Sequence, residues 1–298
     1  MPANFDPENF DRRRHPVRKD LASAEYRGLI AADRFVEGEI RTITADFVDM
    51  RGTAQPGSSI DTQLIYGEQV TVLETSPEGW AWGQSLADGY VGWFPSDGCG
   101  PKLQPTHRVR ALRTYRYPGP DLKLPPLGLI SLGAEVAVVG TRTTRGLEYA
   151  ILADGSAVVA GHLWPMDRLA ADWVGVAEEL VGTPYLWGGR TSLGLDCSAL
   201  VQISARFGGH WLPRDSDMLE REAGEVLDEP EKVDLASLKR GDLIFWKGHV
   251  GIISEPGRLL HSNGHTMTVA YEDLDAAVIR IAETEWGKIT SIRRLPLK

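Results

Sequence analysis

Residues 184–199 constrain this chain more than any other stretch. Pro184-Tyr185-Leu186-Trp187-Gly188-Gly189-Arg190 is a glycine-rich run, and Leu195-Asp196-Cys197-Ser198-Ala199 closely follows it. An apolar run at helical spacing, Leu200 to Phe207, comes next. The pattern reads as a loop that delivers Cys197 to the start of a helix. A thiol there sees the positive end of the helix dipole, and its own N–H has no intrahelical acceptor. Both features favour a thiolate and a site for an oxyanion. A cysteine at a helix start is more often structural than catalytic when it stands alone, so a base is required. Gly248-His249-Val250-Gly251-Ile252 puts a histidine at the head of an apolar strand, and Leu260-His261-Ser262-Asn263-Gly264 puts a second on the next strand. Cysteine, histidine, histidine in that order reads as nucleophile, base and orienting group.

The rest of the chain divides by pattern. Residues 1–37 are polar and charged, with Arg12-Arg13-Arg14, and read as a partly ordered arm or a strap between domains. A short helix over Ala22 to Ala32 is weakly indicated. From 38 to 101 short strands alternate with turns: Gln69-Val70-Thr71-Val72-Leu73 at period two, then Gly79-Trp80-Ala81-Trp82 and Gly89-Tyr90-Val91-Gly92-Trp93. That spacing predicts a small barrel, and the Tyr66-Gly67-Glu68 turn, Gly79-Trp80 pair and Gly89-to-Trp93 ending resemble a bacterial SH3-like domain. Residues 105–166 read as a second copy, with Glu135 to Val139 repeating the Gln69 strand. From 168 to 298 the pattern mixes helix and strand. Trp173, Val176, Ala177, Leu180 and Val181 share a helical face. Asp217 to Ala223 is expected as a helix capped from Leu212-Pro213-Arg214-Asp215-Ser216. Leu243 to Trp246 is apolar on both faces and is expected to be a buried strand.

The four pieces of the last region, Pro-Tyr-x-Trp-Gly-Gly, Asp-Cys-Ser, Gly-His-Val-Gly-Ile and a later polar residue, together resemble the NlpC/P60 family of papain-like cysteine peptidases. The resemblance implies two small SH3-like β-barrels followed by a papain-like α+β domain. It implies Cys197 as nucleophile, His249 as the proton-transfer partner and His261 as the residue fixing the tautomer of His249. It places the Tyr185 hydroxyl beside the nucleophile. The N–H of Cys197 is the first expected oxyanion donor.

Two SH3-like barrels ahead of the peptidase domain resemble a narrower group, the γ-D-glutamyl-L-diamino acid endopeptidases of the YkfC type. Such enzymes hydrolyse the bond between γ-D-Glu and meso-diaminopimelate or L-Lys in stem peptides that carry a free amino-terminal L-Ala. Asp196, Ser198 and Ser216 are the residues implied for recognition, with Tyr90 contributed by the first barrel and Tyr66 as runner-up. A carboxylate at Asp196 suits an α-ammonium. The expected partner is a murein-derived peptide met during cell-wall recycling. Competing readings are a hydrolase of intact murein, a wall-binding module with an inactive peptidase fold, and an acyltransferase or amidase on the same scaffold.

Composition limits the alternatives. The net charge of −9 argues against nucleic acid and anionic membrane surfaces as partners. Two cysteines, Cys99 and Cys197, make no disulfide framework, and a bridge between them would consume the nucleophile. No signal-like or membrane-spanning run is visible, so a cytoplasmic monomer is expected. No cofactor is expected. A metal site from Cys197, His249, His261 and His265 is the rival constellation, but a turn between His261 and His265 spoils helical ligand spacing.

Overall fold

Residues 6, 8, 10–284 and 286–296 are described in the computed structural model. The chain divides into two units, Met1–Met166 and Asp167–Lys298.

In the first unit the period-two alternation after Gln69 makes a central strand, Gln69–Thr75. It lies between Glu39–Ile43 and Trp80–Ser85, and Val91–Pro95 and Cys99–Gly100 pair at the two edges. Phe47–Met50 and Thr62–Ile65 form a separate hairpin. The same succession then recurs as His107–Val109, Arg113–Arg116, Gly128–Ser131, Glu135–Val136 continuing into Val138–Thr144, Leu147–Leu152 and Ala157–Val159. Even the irregularities correspond. Register slips at Val72/Glu74 in the first succession and at Val138/Gly140 in the second, and a 3-10 turn precedes each closing strand. The second core is built from Val109, Ile130, Val136, Ala150, Leu152 and Val158, and Tyr66 joins it from the first succession.

The amino-terminal residues depart from the expectation of a partly ordered arm. Val17, Ala22 and Tyr26 form a small core with Phe10, Ile30, Ala32 and Phe35. The segment is then fastened to the five-stranded sheet. Arg18 lies over Trp82 at 4.3 Å and Trp93 at 4.9 Å, and Val91 N–H donates to the Arg13 carbonyl at 2.8 Å. No α-helix forms over Ala22 to Ala32; Ala22–Ser23 is extended and Ala24–Tyr26 is a 3-10 turn.

The second unit contains helices α1 (Trp173–Glu178), α2 (Cys197–Phe207), α3 (Ser216–Glu222) and α4 (Leu274–Thr284). Among the described residues it has a six-stranded sheet of β1 (Glu225–Val226), β2 (Asp242–Trp246), β3 (His249–Glu255), β4 (Arg258–Asn263), β5 (Thr268–Asp273) and β6 (Ser291–Arg294), in the order β1-β6-β2-β3-β4-β5. Every β2 residue is buried, as its two-faced apolarity requires. Ile244, Trp246, Ile253 and Leu259 pack with Leu274, Ala277 and Ile281 of α4, while α2 packs on β3 and β4. α1 is shorter than its periodicity indicates: the chain turns at Gly182, and Val181 is exposed while Val174 is buried in its place. No helix among the described residues is long and apolar enough to cross a membrane.

Candidate active site

The glycine-rich loop is tied at both ends before it reaches the cysteine. Tyr185 N–H donates to the Met267 carbonyl at 2.9 Å, and Leu195 N–H donates to Pro184 at 3.1 Å. A two-stranded hairpin, Arg190–Thr191 with Gly194–Leu195, carries the chain back to Asp196. Gly188 adopts φ +74, a left-handed conformation that a side chain would strain. Its N–H thereby turns to the Asp196 carboxylate at 3.1 Å.

Asp196 is the N-cap of α2, accepting from Ala199 N–H at 2.9 Å. It also accepts from Ser198 Oγ at 3.1 Å and from both terminal nitrogens of Arg214, at 3.0 and 2.6 Å. The Arg214 side chain is 1% exposed. Sequence reasoning missed this pair, taking the Arg214 segment for a helix cap; Asp215 stands at the N-cap of α3 but its side chain makes no capping bond. The picture of a free Asp196 carboxylate waiting for an ammonium is therefore corrected. A carboxylate offers about four lone-pair sites, and these are already engaged. Ser198 is likewise internal, accepting from Arg214 at 2.8 Å. Ser216, half-buried, opens α3.

Cys197 is the first residue of α2 and is buried. Burial first, then the neighbouring Asp196 charge, pushes its thiol up to about 12, while the Val250 and Ser198 amides and Arg214 pull the other way. His249 heads β3 and is buried against Trp246, with ring centroids 5.7 Å apart. Burial, then the adjacent His261 and Arg280, pulls it down to about 3. Neither charge forms favourably alone. Burial thus favours the neutral thiol and the neutral imidazole.

His249 Nε2 meets His261 Nδ1 at 3.0 Å, so His261 engages one of the two ring nitrogens of His249. β3 and β4 pair with Ile252 opposite Leu260, so the two histidines are diagonal neighbours, within reach of their rings. Gly251 opens the space between them. A Cβ there would lie 2.6 Å from Leu259 Cδ1 and 3.4 Å from the His261 Cβ. A side chain at the second glycine of Gly-His-Val-Gly-Ile would therefore push against Leu259. Beyond it, His261 Nε2 meets Glu272 Oε2 at 3.1 Å, and Arg280 holds both Glu272 oxygens at 2.8 and 2.7 Å. Glu272 and Arg280 carry no motif and were not found from the sequence; the only available signal was the β4–β5 register. With both His261 nitrogens engaged and His265 in the following turn, the rival metal constellation has no free nitrogen on His261.

Of the other expected residues, Tyr185 is half-buried in the loop beside Leu195. Tyr90 is 3% exposed, its N–H bonded to Asp88 Oδ1 at 3.1 Å and its carbonyl accepting from Ser85 N–H at 2.8 Å. The runner-up Tyr66 is also buried. It packs in the second core, lies under Arg116 at 4.4 Å and bonds Asp154 Oδ2 at 3.3 Å.

Comparison with known proteins agrees with this geometry. Residues 182–285 match the NlpC/P60 family, and residues 50–98 match the bacterial dipeptidyl-peptidase Sh3 domain. The chain is similar to the gamma-D-glutamyl-L-lysine dipeptidyl-peptidase of Bacillus subtilis (strain 168), 28% identical over 229 residues that cover 68% of this chain and 72% of that one. The protein of the same name from Bacillus cereus (strain ATCC 10987 / NRS 248) is 24% identical over 240 residues, covering 69% and 68%. The crystal structure of an NlpC/P60 family protein from Bacillus cereus ATCC 10987 shares the fold, with a TM-score of 0.71 at 19% identity over 87% of this chain and 100% of that chain. A cysteine heading a buried helix, a histidine pair on adjacent strands and both domain matches lead to one conclusion: the chain carries an NlpC/P60 domain behind a bacterial SH3 domain and is a peptidase.

Proposed function

We propose that this protein is a cysteine endopeptidase that hydrolyses the γ-D-glutamyl-L-diamino acid bond of peptidoglycan stem peptides bearing a free amino-terminal L-Ala. The observation that carries the reading is the bonded series from Glu272 through His261 to His249, which leaves one ring nitrogen for Cys197. The names of the Bacillus relatives support the bond cleaved. In this reading the Cys197 sulfur attacks the γ-carbonyl and its proton passes to His249 Nδ1. The amide N–H of Cys197 meets the oxyanion, with the Tyr185 hydroxyl nearby. His249 then protonates the leaving amine, and water hydrolyses the thioester.

The recurring strand succession in the first unit supports two SH3-like barrels, 38–101 and 105–166, after an amino-terminal segment 1–37 and ahead of a peptidase domain at 168–298. Asp196 and Ser198 act on the substrate as parts of a neutral cluster with Arg214 rather than as a bare anion. Ser216, which opens α3, belongs to the same recognition set. A peptide with a free amine is one already released from the wall, so the role is cytoplasmic recycling by a monomer.

The test is mass spectrometry of L-Ala-γ-D-Glu-meso-diaminopimelate after incubation with the protein, beside the N-acetylated peptide and intact sacculi. Release of L-Ala-γ-D-Glu from the free peptide, with the acetylated one cut at least about a hundredfold more slowly, is expected; that factor corresponds to roughly 2.8 kcal/mol. Equal cleavage of both, or digestion of sacculi, makes a general wall hydrolase the better reading.

A further inference from the structure

Glu272 stands one residue beyond the expected cysteine–histidine–histidine set, and its surroundings fix what it can do. Strand β5 pairs with β4 so that His261 faces Ala270 and Leu259 faces Glu272. Glu272 is thereby a diagonal neighbour of His261, as His261 is of His249. Arg280, one turn and a half along α4, reaches across to both oxygens of Glu272.

The consequences run ring by ring. An ionised carboxylate only accepts, so the bond to His261 Nε2 requires the proton on that nitrogen. A neutral His261 protonated at Nε2 has a bare Nδ1. That nitrogen lies 3.0 Å from His249 Nε2, so His249 carries its proton at Nε2 and is bare at Nδ1. Only this tautomer can accept the Cys197 proton. In the opposite arrangement His261 Nδ1–H donates to His249 Nε2, and the proton on His249 Nδ1 blocks the transfer.

We infer that Glu272 is a positioning residue that sets the tautomers of both histidines and so keeps a lone pair at His249 Nδ1 for Cys197. The inference rests on the reading of His249 as the base. Arg280 fastens the carboxylate and, with His261, holds its carboxyl below the usual range, so that it stays an acceptor throughout. During attack the S–H bond breaks, its proton moves to His249 Nδ1 and the S–C bond forms. The new imidazolium donates through Nε2 to His261 Nδ1, and Glu272 remains unprotonated. The charged or titratable groups bearing on His261 are His249, Glu272, Arg280 and His265; those on His249 are His261 and Arg280.

The experiment combines histidine ¹⁵N NMR with kinetics on wild type, Glu272→Gln, Glu272→Ala and both changes in a His261→Asn background. In wild type at neutral pH both histidines should show protonated Nε2 and bare Nδ1. Glu272→Ala should populate the Nδ1–H tautomer of both rings. It should lower kcat about 10- to 100-fold, the usual range for a residue supporting an active group, with KM within about twofold. Glu272→Gln, which keeps an acceptor oxygen, should fall between. Asparagine has no ring tautomer, so Glu272→Ala should cost nothing further in the His261→Asn background. Unchanged tautomers in Glu272→Ala, or a loss of equal size in the His261→Asn background, overturns the inference. The NMR arm reads the tautomer whether or not the stem peptide is the substrate, so failure of the peptidase reading is separately visible.

Discussion

The proposed nucleophile, Cys197, and the proposed base, His249, are each backed by an arginine–carboxylate pair, and the two pairs differ in kind. Arg214 and Asp196 are buried, with side chains 1% and 11% exposed. Asp196 spends its oxygens on backbone N–H groups, on Ser198 and on the arginine. Arg280 and Glu272 are each 22% exposed, and Glu272 turns one oxygen to a histidine. The first pair holds the loop and the helix start together. It also sets a guanidinium against an N-cap charge that would otherwise oppose a thiolate. The second pair touches only the proton path. A fold can thus use one chemical motif as a scaffold on one side of the reaction and as a proton-position control on the other.

The largest expected effect removes what both sides serve. Cys197→Ala should fold and lose turnover by at least about 10⁴-fold, in line with loss of a covalent nucleophile. Iodoacetamide should inactivate wild type by alkylating Cys197, with Cys99 as internal control. Full activity after carboxymethylation of Cys197 would remove the chemistry that gives the comparison its meaning.

Next comes the scaffold. Arg214→Leu leaves the Asp196 charge buried without its partner, which typically costs about 3–5 kcal/mol. Urea unfolding followed by the tryptophans of the second unit should show it. A loss under about 1 kcal/mol would mean that the two pairs do not differ as described. Glu272→Gln at the half-exposed pair should change stability by no more than about 1 kcal/mol, while altering catalysis.

Acid should act on the histidine side. Burial holds His249 at about 3 and His261 at about 4, below their ordinary value of 6.5. Between those limits the unfolded chain binds more protons than the folded one, so stability rises with pH and is lost as pH falls from 6.5 toward 4. From pH 7 to 5 each histidine should contribute a loss of roughly 2 kcal/mol, following about 1.4 kcal/mol per unit. His261→Asn should flatten that dependence. An unfolding midpoint unchanged between pH 7 and 5 would contradict the buried, neutral pair.

A further effect concerns the packing beside His261. Gly251→Ala places a methyl against Leu259 and His261 and should cost about 1–3 kcal/mol, the usual range for overpacking.

How much of this was legible in the sequence varied with the physics behind each feature. Cys197 at a helix start, the buried β2 and the histidines on adjacent strands follow from local periodicity and order, and local pattern suffices for them. The recurring strand succession was visible because alternation and turn residues repeat. Glu272, Arg280 and Arg214 were not visible, because their roles come from pairing register and from chain segments distant in sequence. An isolated glutamate on a strand looks like any solvated residue until register sets it beside a histidine. The amino-terminal residues misled for a related reason: Arg18 reads as polar, yet its guanidinium covers Trp82 and Trp93. That Tyr66 packs in the second core was not visible either, because a turn motif does not say which core its ring enters.

The central claim, that Cys197 attacks the γ-D-glutamyl carbonyl with His249 taking its proton, is met most directly by trapping the thioester. Rapid acid quench of the protein with L-Ala-γ-D-Glu-meso-diaminopimelate, followed by intact-mass and peptide mapping, should find L-Ala-γ-D-Glu attached to Cys197. The adduct should be absent from Cys197→Ala, which should also release no product. Product release by Cys197→Ala, or an adduct on any residue other than Cys197, would contradict it.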